Sequence, residues 1–157
     1  MKLVIESLIG NLQLIEHEGF LTEVNFTKEP VSILAGNEIL NLSKSQFDEY
    51  FASSRKSFDL PLKLTGTEFQ KRVWQQLLLI PYGSTISYQE LANLLSDPKC
   101  IRAAARANGQ NLLPIIIPCH RVIGSNGEMT GYAGGIARKK DLLRLEGAEI
   151  MNQMNLF

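Results

Sequence analysis

Apolar and polar residues alternate along the first part of the chain. Leu3, Ile5, Leu12, Leu14, Phe20, Leu21, Val24 and Phe26 fall at the spacing of half-buried strands. Ile9-Gly10-Asn11 and Glu18-Gly19 break the runs as turns, so the pattern predicts a three-stranded antiparallel meander. The period then lengthens. Between about residues 40 and 53, Leu42, Phe47, Tyr50 and Phe51 recur at helical spacing. Asp59-Leu60-Pro61-Leu62-Lys63-Leu64 reads as an extended linker, because proline disfavours helix at the residue before it.

Beyond residue 64 the helix signals sharpen. Thr65-Gly66-Thr67-Glu68 fits a capping box, with Thr65 as cap and Glu68 reaching back. Phe69, Val73, Trp74, Leu77 and Leu78 give the helix that follows, and Pro81-Tyr82-Gly83 stops it. Ser87-Tyr88-Gln89-Glu90 is a second capping box, opening a short helix through Leu95. Asp97-Pro98 starts a third helix, which Gly109 ends. Two short helices in tight succession, the second basic, form a helix-turn-helix pattern. Ser125-Asn126-Gly127 is a turn that could build a wing. A last amphipathic helix over residues 135–146 carries Ile136, Leu142, Leu143 and Leu145 on its apolar face.

Composition narrows the class. The 157 residues are 45% hydrophobic and 20% charged, which excludes wholesale disorder and suits one domain or two small ones. No apolar run approaches the ~20 residues of a membrane-spanning helix, and a carboxylate at Glu6 comes too early for a signal peptide. The formal net charge is zero, with 16 basic and 16 acidic residues. That sum hides a division: six basic against nine acidic residues give −3 up to residue 64, and ten against seven give +3 after it. Two cysteines and two histidines provide neither a disulfide framework nor a four-ligand zinc site. No metal or other cofactor is expected, and the compartment reads as reducing and cytoplasmic.

Two segments carry candidate chemistry. Arg102 and Arg106, four residues apart among alanines, share one helix face. That face is either a solvated surface or one that approaches a nucleic-acid groove closely. In Ile117-Pro118-Cys119-His120-Arg121-Val122 a cysteine meets a histidine after an apolar run. Cys119 is either a buried structural cysteine or a nucleophile. An unperturbed thiol is only about 3% ionised at pH 7, and a lowering of ~2 units, worth about 2.7 kcal/mol, would raise that fraction.

Pro118-Cys119-His120-Arg121-Val122-Ile123-Gly124 closely resembles the signature of the O6-alkylguanine-DNA alkyltransferases, or methylated-DNA–protein-cysteine methyltransferases. Ile86-Ser87-Tyr88-Gln89-Glu90-Leu91-Ala92, Arg102-Ala103, Asn111 and Gly131-Tyr132-Ala133-Gly134-Gly135 extend the resemblance over residues 65–147. It implies an α+β protein. Residues 1–64 would form a small N-terminal α/β domain with an antiparallel sheet, plus the linker. Residues 65–157 would form a winged helix-turn-helix domain that binds DNA and carries the chemistry. Cys119 would take the alkyl group from guanine O6, once per molecule, with no cofactor. His120 would accept the thiol proton through a water, Glu146 would orient the imidazole, Tyr88 would donate toward the leaving base, and Asn111 would stiffen the turn. Tyr132, Ala133 and the backbone at Val122 would line the base pocket. Arg102, Ala103, Arg106, Gln89 and Ser125 would face double-stranded DNA in the minor groove, with Arg102 filling the gap left by a flipped base. The protein would act as a monomer, without a membrane. Leu112 stands where many members have proline, and residues 148–157 match no motif and read as a flexible or packing extension.

Overall fold

Three strands open the chain, β1 Lys2–Ile5, β2 Asn11–His17 and β3 Phe20–Thr27, in an antiparallel sheet of that order. Leu12 pairs with Ile5 and Phe26, and Leu14 with Leu3 and Val24, so the alternating leucines share one buried face. Gly19 has φ 86°, a left-handed conformation that glycine adopts without strain at this hairpin. Glu16 continues the buried face of Leu12 and Leu14, beside a register shift at Ile15/Glu16. There it accepts Gly19 N at 2.8 Å and Asn37 Nδ2 at 2.8 Å, and Asn37 itself caps α1, Glu38–Phe51.

The computed structural model describes residues 1–148 and divides into two compact units, Met1–Thr65 and Gly66–Phe157. In the first, α1 begins two residues earlier than the spacing predicts, and Leu40, not Leu42, joins Phe47 and Tyr50 in the core. Phe58 seals that face, its ring 5.0 Å from Phe47 and 5.4 Å from Tyr50. The expected linker is structured: Leu21 N donates to Pro61 O at 2.8 Å and Lys63 N to Leu21 O at 3.1 Å. Pro61 takes part through its carbonyl alone, having no N–H to donate.

The second unit holds α2 Glu68–Leu77, β4 Ile86–Ser87, α3 Tyr88–Leu94, α4 Ile101–Gly109, β5 Val122–Ile123 and α5 Ile136–Leu145. The first capping box is shifted from its expected place. Thr67, not Thr65, caps α2, because Gln70 can reciprocate: Gln70 N donates to Thr67 Oγ1 at 3.1 Å and Thr67 N to Gln70 Oε1 at 2.9 Å. Glu68 instead pairs with Lys71. The Ser87–Glu90 box forms as predicted. Asp97 caps a 3-10 turn, Pro98–Cys100, that runs into α4, so the third helix starts in two pieces. Gly109 is the last residue of α4, and Gln110 follows as its C-cap.

Helices α2 and α3 pack on α4. Ala104 and Ala107 are fully covered there, their small side chains letting Trp74 approach until its Nε1 donates to Ala107 O at 2.9 Å. The expected wing is a tight turn, with Gly127 N bonded to Gly124 O at 2.8 Å. Strand β5 pairs parallel with β4 rather than with a returning strand after that turn. Along α5, Leu142 and Leu143 are buried but Ile136 is exposed, and Lys139 takes the inward place expected of an apolar residue. From residue 149 on, the expected C-terminal extension lies outside the described residues.

Candidate active site

A braced loop delivers Cys119. After α4, Asn111 Nδ2 donates to Ile117 O at 2.7 Å, and its Oδ1 accepts Leu113 N at 2.9 Å. Ile117 N closes the same loop on Leu113 O at 2.9 Å. Within it, the buried Ile115 has φ 76°. A β-branched residue there is strained by about 1–3 kcal/mol and persists only because its surroundings impose it. Pro118 follows, and a 3-10 turn, Cys119–Arg121, places three consecutive polar side chains inside the unit.

Glu146 organises their partners. It caps the C-terminus of α5 and is buried. Its Oε2 lies 2.8 Å from His120 Nε2 and accepts Arg121 Nη2 at 2.9 Å, while Oε1 accepts Arg121 Nε at 2.8 Å. Arg121 Nη1 donates to Ile80 O at 2.6 Å, and its guanidinium lies 5.8 Å from the Tyr82 ring centre. His120 Nδ1 has no hydrogen-bond partner among the described residues. The fully buried Lys139 donates from Nζ to Val122 O at 2.7 Å and to Thr130 O at 2.9 Å. Tyr88 donates its hydroxyl to the same Thr130 carbonyl at 3.2 Å.

Burial pushes the Cys119 thiol up to about 11, against the Asn111 hydrogen bond and the Lys139 charge that favour the thiolate. The lowered thiol anticipated from the Cys-His pairing is therefore absent from the free protein. At about 11, roughly one thiol in 10,000 is ionised at pH 7. Burial also lowers His120, despite the pull of Glu146, and so keeps its imidazole neutral. Burial lowers Lys139 to about 8, with the Cys119 charge opposing that fall. Burial works against the Glu146 charge, but hydrogen bonds from His120 and Arg121 outweigh it and hold the carboxyl far below the usual range. Tyr88 and Tyr132 are both raised, chiefly by burial, and stay protonated donors. The arrangement thus offers a neutral thiol, a neutral imidazole with one free nitrogen, and an anion fixed behind that imidazole.

Comparison with known proteins gives the arrangement a context. Residues 2–64 match the ribonuclease-like domain of 6-O-methylguanine DNA methyltransferase, and residues 68–148 match its DNA binding domain. The methylated-DNA–protein-cysteine methyltransferase of Mycobacterium leprae is 46% identical over 98% of this chain and 96% of its own length. The chain belongs to the O6-methylguanine-DNA methyltransferase family. The protein of the same name from Methanosarcina acetivorans is also 46% identical, over 92% of this chain and 97% of its own. The crystal structure of Mycobacterium tuberculosis OGT in complex with DNA superposes with a TM-score of 0.84 at 42% identity, covering 98% of this chain and 97% of that one.

With family membership settled, the remaining candidate residues fall into two groups. Tyr88 and Tyr132 stand close enough to Cys119 for a charge there to act on them, as does Lys139, which was not among the candidates. Val122 presents its carbonyl to Lys139, and Ala133 is exposed. Arg102, Ala103 and Arg106 occupy the exposed face of α4, opposite the buried Ala104, Ala107 and Asn108. Ser125 is exposed on the 124–128 turn. Gln89 is half-buried and spends its amide on Asn93 Oδ1 and Pro98 O, at 3.1 and 3.3 Å, bracing the α3–α4 connection. Sequence reasoning assigned no role to Arg121 or Lys139. Arg121 had a signal in its place beside the Cys-His pair. Lys139 had one as a cation three and four residues before Leu142 and Leu143, on the apolar stripe of α5.

Proposed function

We propose that the protein repairs O6-alkylguanine in DNA by direct reversal, moving the alkyl group irreversibly onto Cys119. The observation that carries this reading is the buried Cys119-His120 pair with Glu146 at 2.8 Å behind the imidazole, in a chain of this family. The thiol proton passes to His120 Nδ1 through a bridging water, and the sulfur electron pair forms a bond to the alkyl carbon as the carbon–O6 bond breaks. The bonding pair leaves with guanine, and Tyr88 directs its hydroxyl at the ring nitrogen that gains charge. Because water does not cleave the resulting thioether, each molecule reacts once.

The acceptor is buried and the lesion lies within a duplex, so the base rotates out of the stack to reach Cys119, between Tyr132, Ala133 and the Val122 backbone. The small exposed side chains of α4 suit close approach to the minor groove of double-stranded DNA, where Arg102 enters the vacated position and Ala103 and Arg106 lie against the strand. Asn111 keeps the Cys119 loop in register during transfer. Ser125 meets the backbone from its turn, and Gln89 supports α4 from α3. The protein acts as a monomer in the cytoplasm, a reducing setting in which two free cysteines persist. Excess duplex DNA carrying a labelled methyl group on guanine O6 tests the reaction. One equivalent of label becomes protein-bound and the count then stops rising. Label released to water, or continued turnover, would overturn the proposal.

A further inference from the structure

The charged groups behind His120 are more than a single carboxylate. Arg121 grips both Glu146 oxygens, through Nε at 2.8 Å and Nη2 at 2.9 Å. Its third nitrogen is anchored on Ile80 O at 2.6 Å, so the guanidinium cannot drift from that position without losing a buried hydrogen bond. A carboxyl held this way on both oxygens stays an anion, and an anion only accepts. The contact at 2.8 Å between Glu146 and His120 therefore requires the ring hydrogen on Nε2. Nδ1 then carries the lone pair, and Nδ1 is the buried nitrogen left without a partner among the described residues.

We infer that Arg121 is a positioning residue that fixes His120 in the tautomer able to receive the Cys119 proton, acting through the ionisation of Glu146. This rests on the alkyl-transfer reading above. Were Glu146 protonated, its O–H could donate to Nε2, and the hydrogen would move to Nδ1, where it blocks acceptance. In a hydrolase triad, the equivalent wrong tautomer lowers the rate by ~10⁴ while leaving geometry intact. Other groups act on the same pair. Gly83 N approaches Glu146 Oε1 at 3.5 Å from the turn after α2, Tyr132 interacts from its loop, and Lys139 acts on His120 from α5. Of these, only Arg121 supplies a cation in contact with the Glu146 carboxylate.

The test pairs two readouts on the full-length protein. Nitrogen-15 NMR of the His120 ring in the resting protein reports the tautomer without any transfer, and single-turnover methyl transfer as a function of pH reports the consequence. Wild type shows hydrogen on Nε2 at neutral pH. Arg121→Met shifts population to the Nδ1–H form, slows transfer at pH 7 about 10–100-fold, as loss of an outer orienting group does elsewhere, and regains rate as pH rises and Glu146 ionises. Arg121→Lys, which keeps the charge but not the fork, falls between. A folded Arg121→Met with the wild-type tautomer and pH profile would overturn the inference, as would an Nδ1–H ring in wild type. If Arg121→Met does not fold, the Arg121→Lys tautomer and the wild-type spectrum decide. Wild type that shows the Nε2–H ring but transfers no methyl would remove the alkyl-transfer reading instead.

Discussion

Cys100 and Cys119 lie in the same compact unit, in surroundings that differ in nearly every respect. Cys100 ends the 3-10 turn before α4, half-buried, and makes no side-chain capping bond. The helix it introduces turns Arg102, Ala103 and Arg106 outward. Cys119 is 5% exposed and sits in a strained loop, with a neutral imidazole, a bound carboxylate, an arginine and a buried lysine around it. By access alone Cys100 is the better nucleophile. Burial disfavours the Cys119 thiolate, so the proposed transfer relies on a route for the proton rather than on standing ionisation. In the proposed reading the α4 region meets DNA and the Cys119 region carries out transfer.

If that division is right, the largest effect belongs to the buried network. Glu146→Gln leaves the Arg121 cation without its partner, and removing one member of a buried ion pair destabilises by about 3–5 kcal/mol. Urea denaturation reads that loss. In the fraction that remains folded, methyl transfer slows by far more than DNA affinity weakens. Comparable losses in both would erase the distinction between the two regions. Arg102→Ala comes next and acts in the other region. It slows repair of duplex DNA by about ten-fold or more, within the few kcal/mol that base flipping demands, and spares reaction with a free alkylguanine base. Equal loss on both substrates would move Arg102 into the chemistry.

Acidity sharpens the contrast more gently. His120 is lowered in the folded state, so it contributes stability above its unfolded value of about 6.5 that is lost as pH falls. Glu146 is also lowered, so its contribution is present above about 4.3 and is lost below it. Both act in the same direction. Stability should fall from about pH 6.5 downward, with a slope approaching ~1.4 kcal/mol per pH unit for each proton taken up on unfolding. Urea midpoints that stay level from pH 7 to about 5 would mean that His120 is not held as its surroundings indicate, and midpoints level from about pH 5 to 3 would mean the same of Glu146. The smallest effect is expected at Cys100. Cys100→Ser leaves transfer within about two-fold of wild type, the range of an ordinary surface change of ±0.5 kcal/mol.

How much of this was readable beforehand follows from how local each feature is. The meander was legible because its leucines alternate and its glycines mark the turns. The Ser87–Glu90 box was legible because all its partners lie within four residues. The box before α2 was misplaced by two residues because two threonines compete there, and only the reciprocating Gln70 decides between them. Leu42 lost its core place to Leu40 because the sheet, not the helix, determines which face is covered. The Cys119-His120 pair was readable in the signature, whereas Glu146 came only with the resemblance as a whole; the structure sets it 2.8 Å from the imidazole. The roles of Arg121 and Lys139 were not readable, since their burial is compensated by Ile80, Glu146, Val122 and Thr130, groups distant in sequence or supplied by the backbone. The local signals, a cation on the apolar stripe of α5 and an arginine beside the Cys-His pair, show the positions but not the distant partners that satisfy them.

The most direct test of the central claim maps where the alkyl group goes. The wild-type protein is reacted with duplex DNA bearing a labelled methyl group on guanine O6, digested, and its peptides are sequenced by mass spectrometry. The account predicts the label as a thioether on Cys119, with Cys100 unmodified. Label on Cys100, or retained by a Cys119→Ala variant, would contradict it.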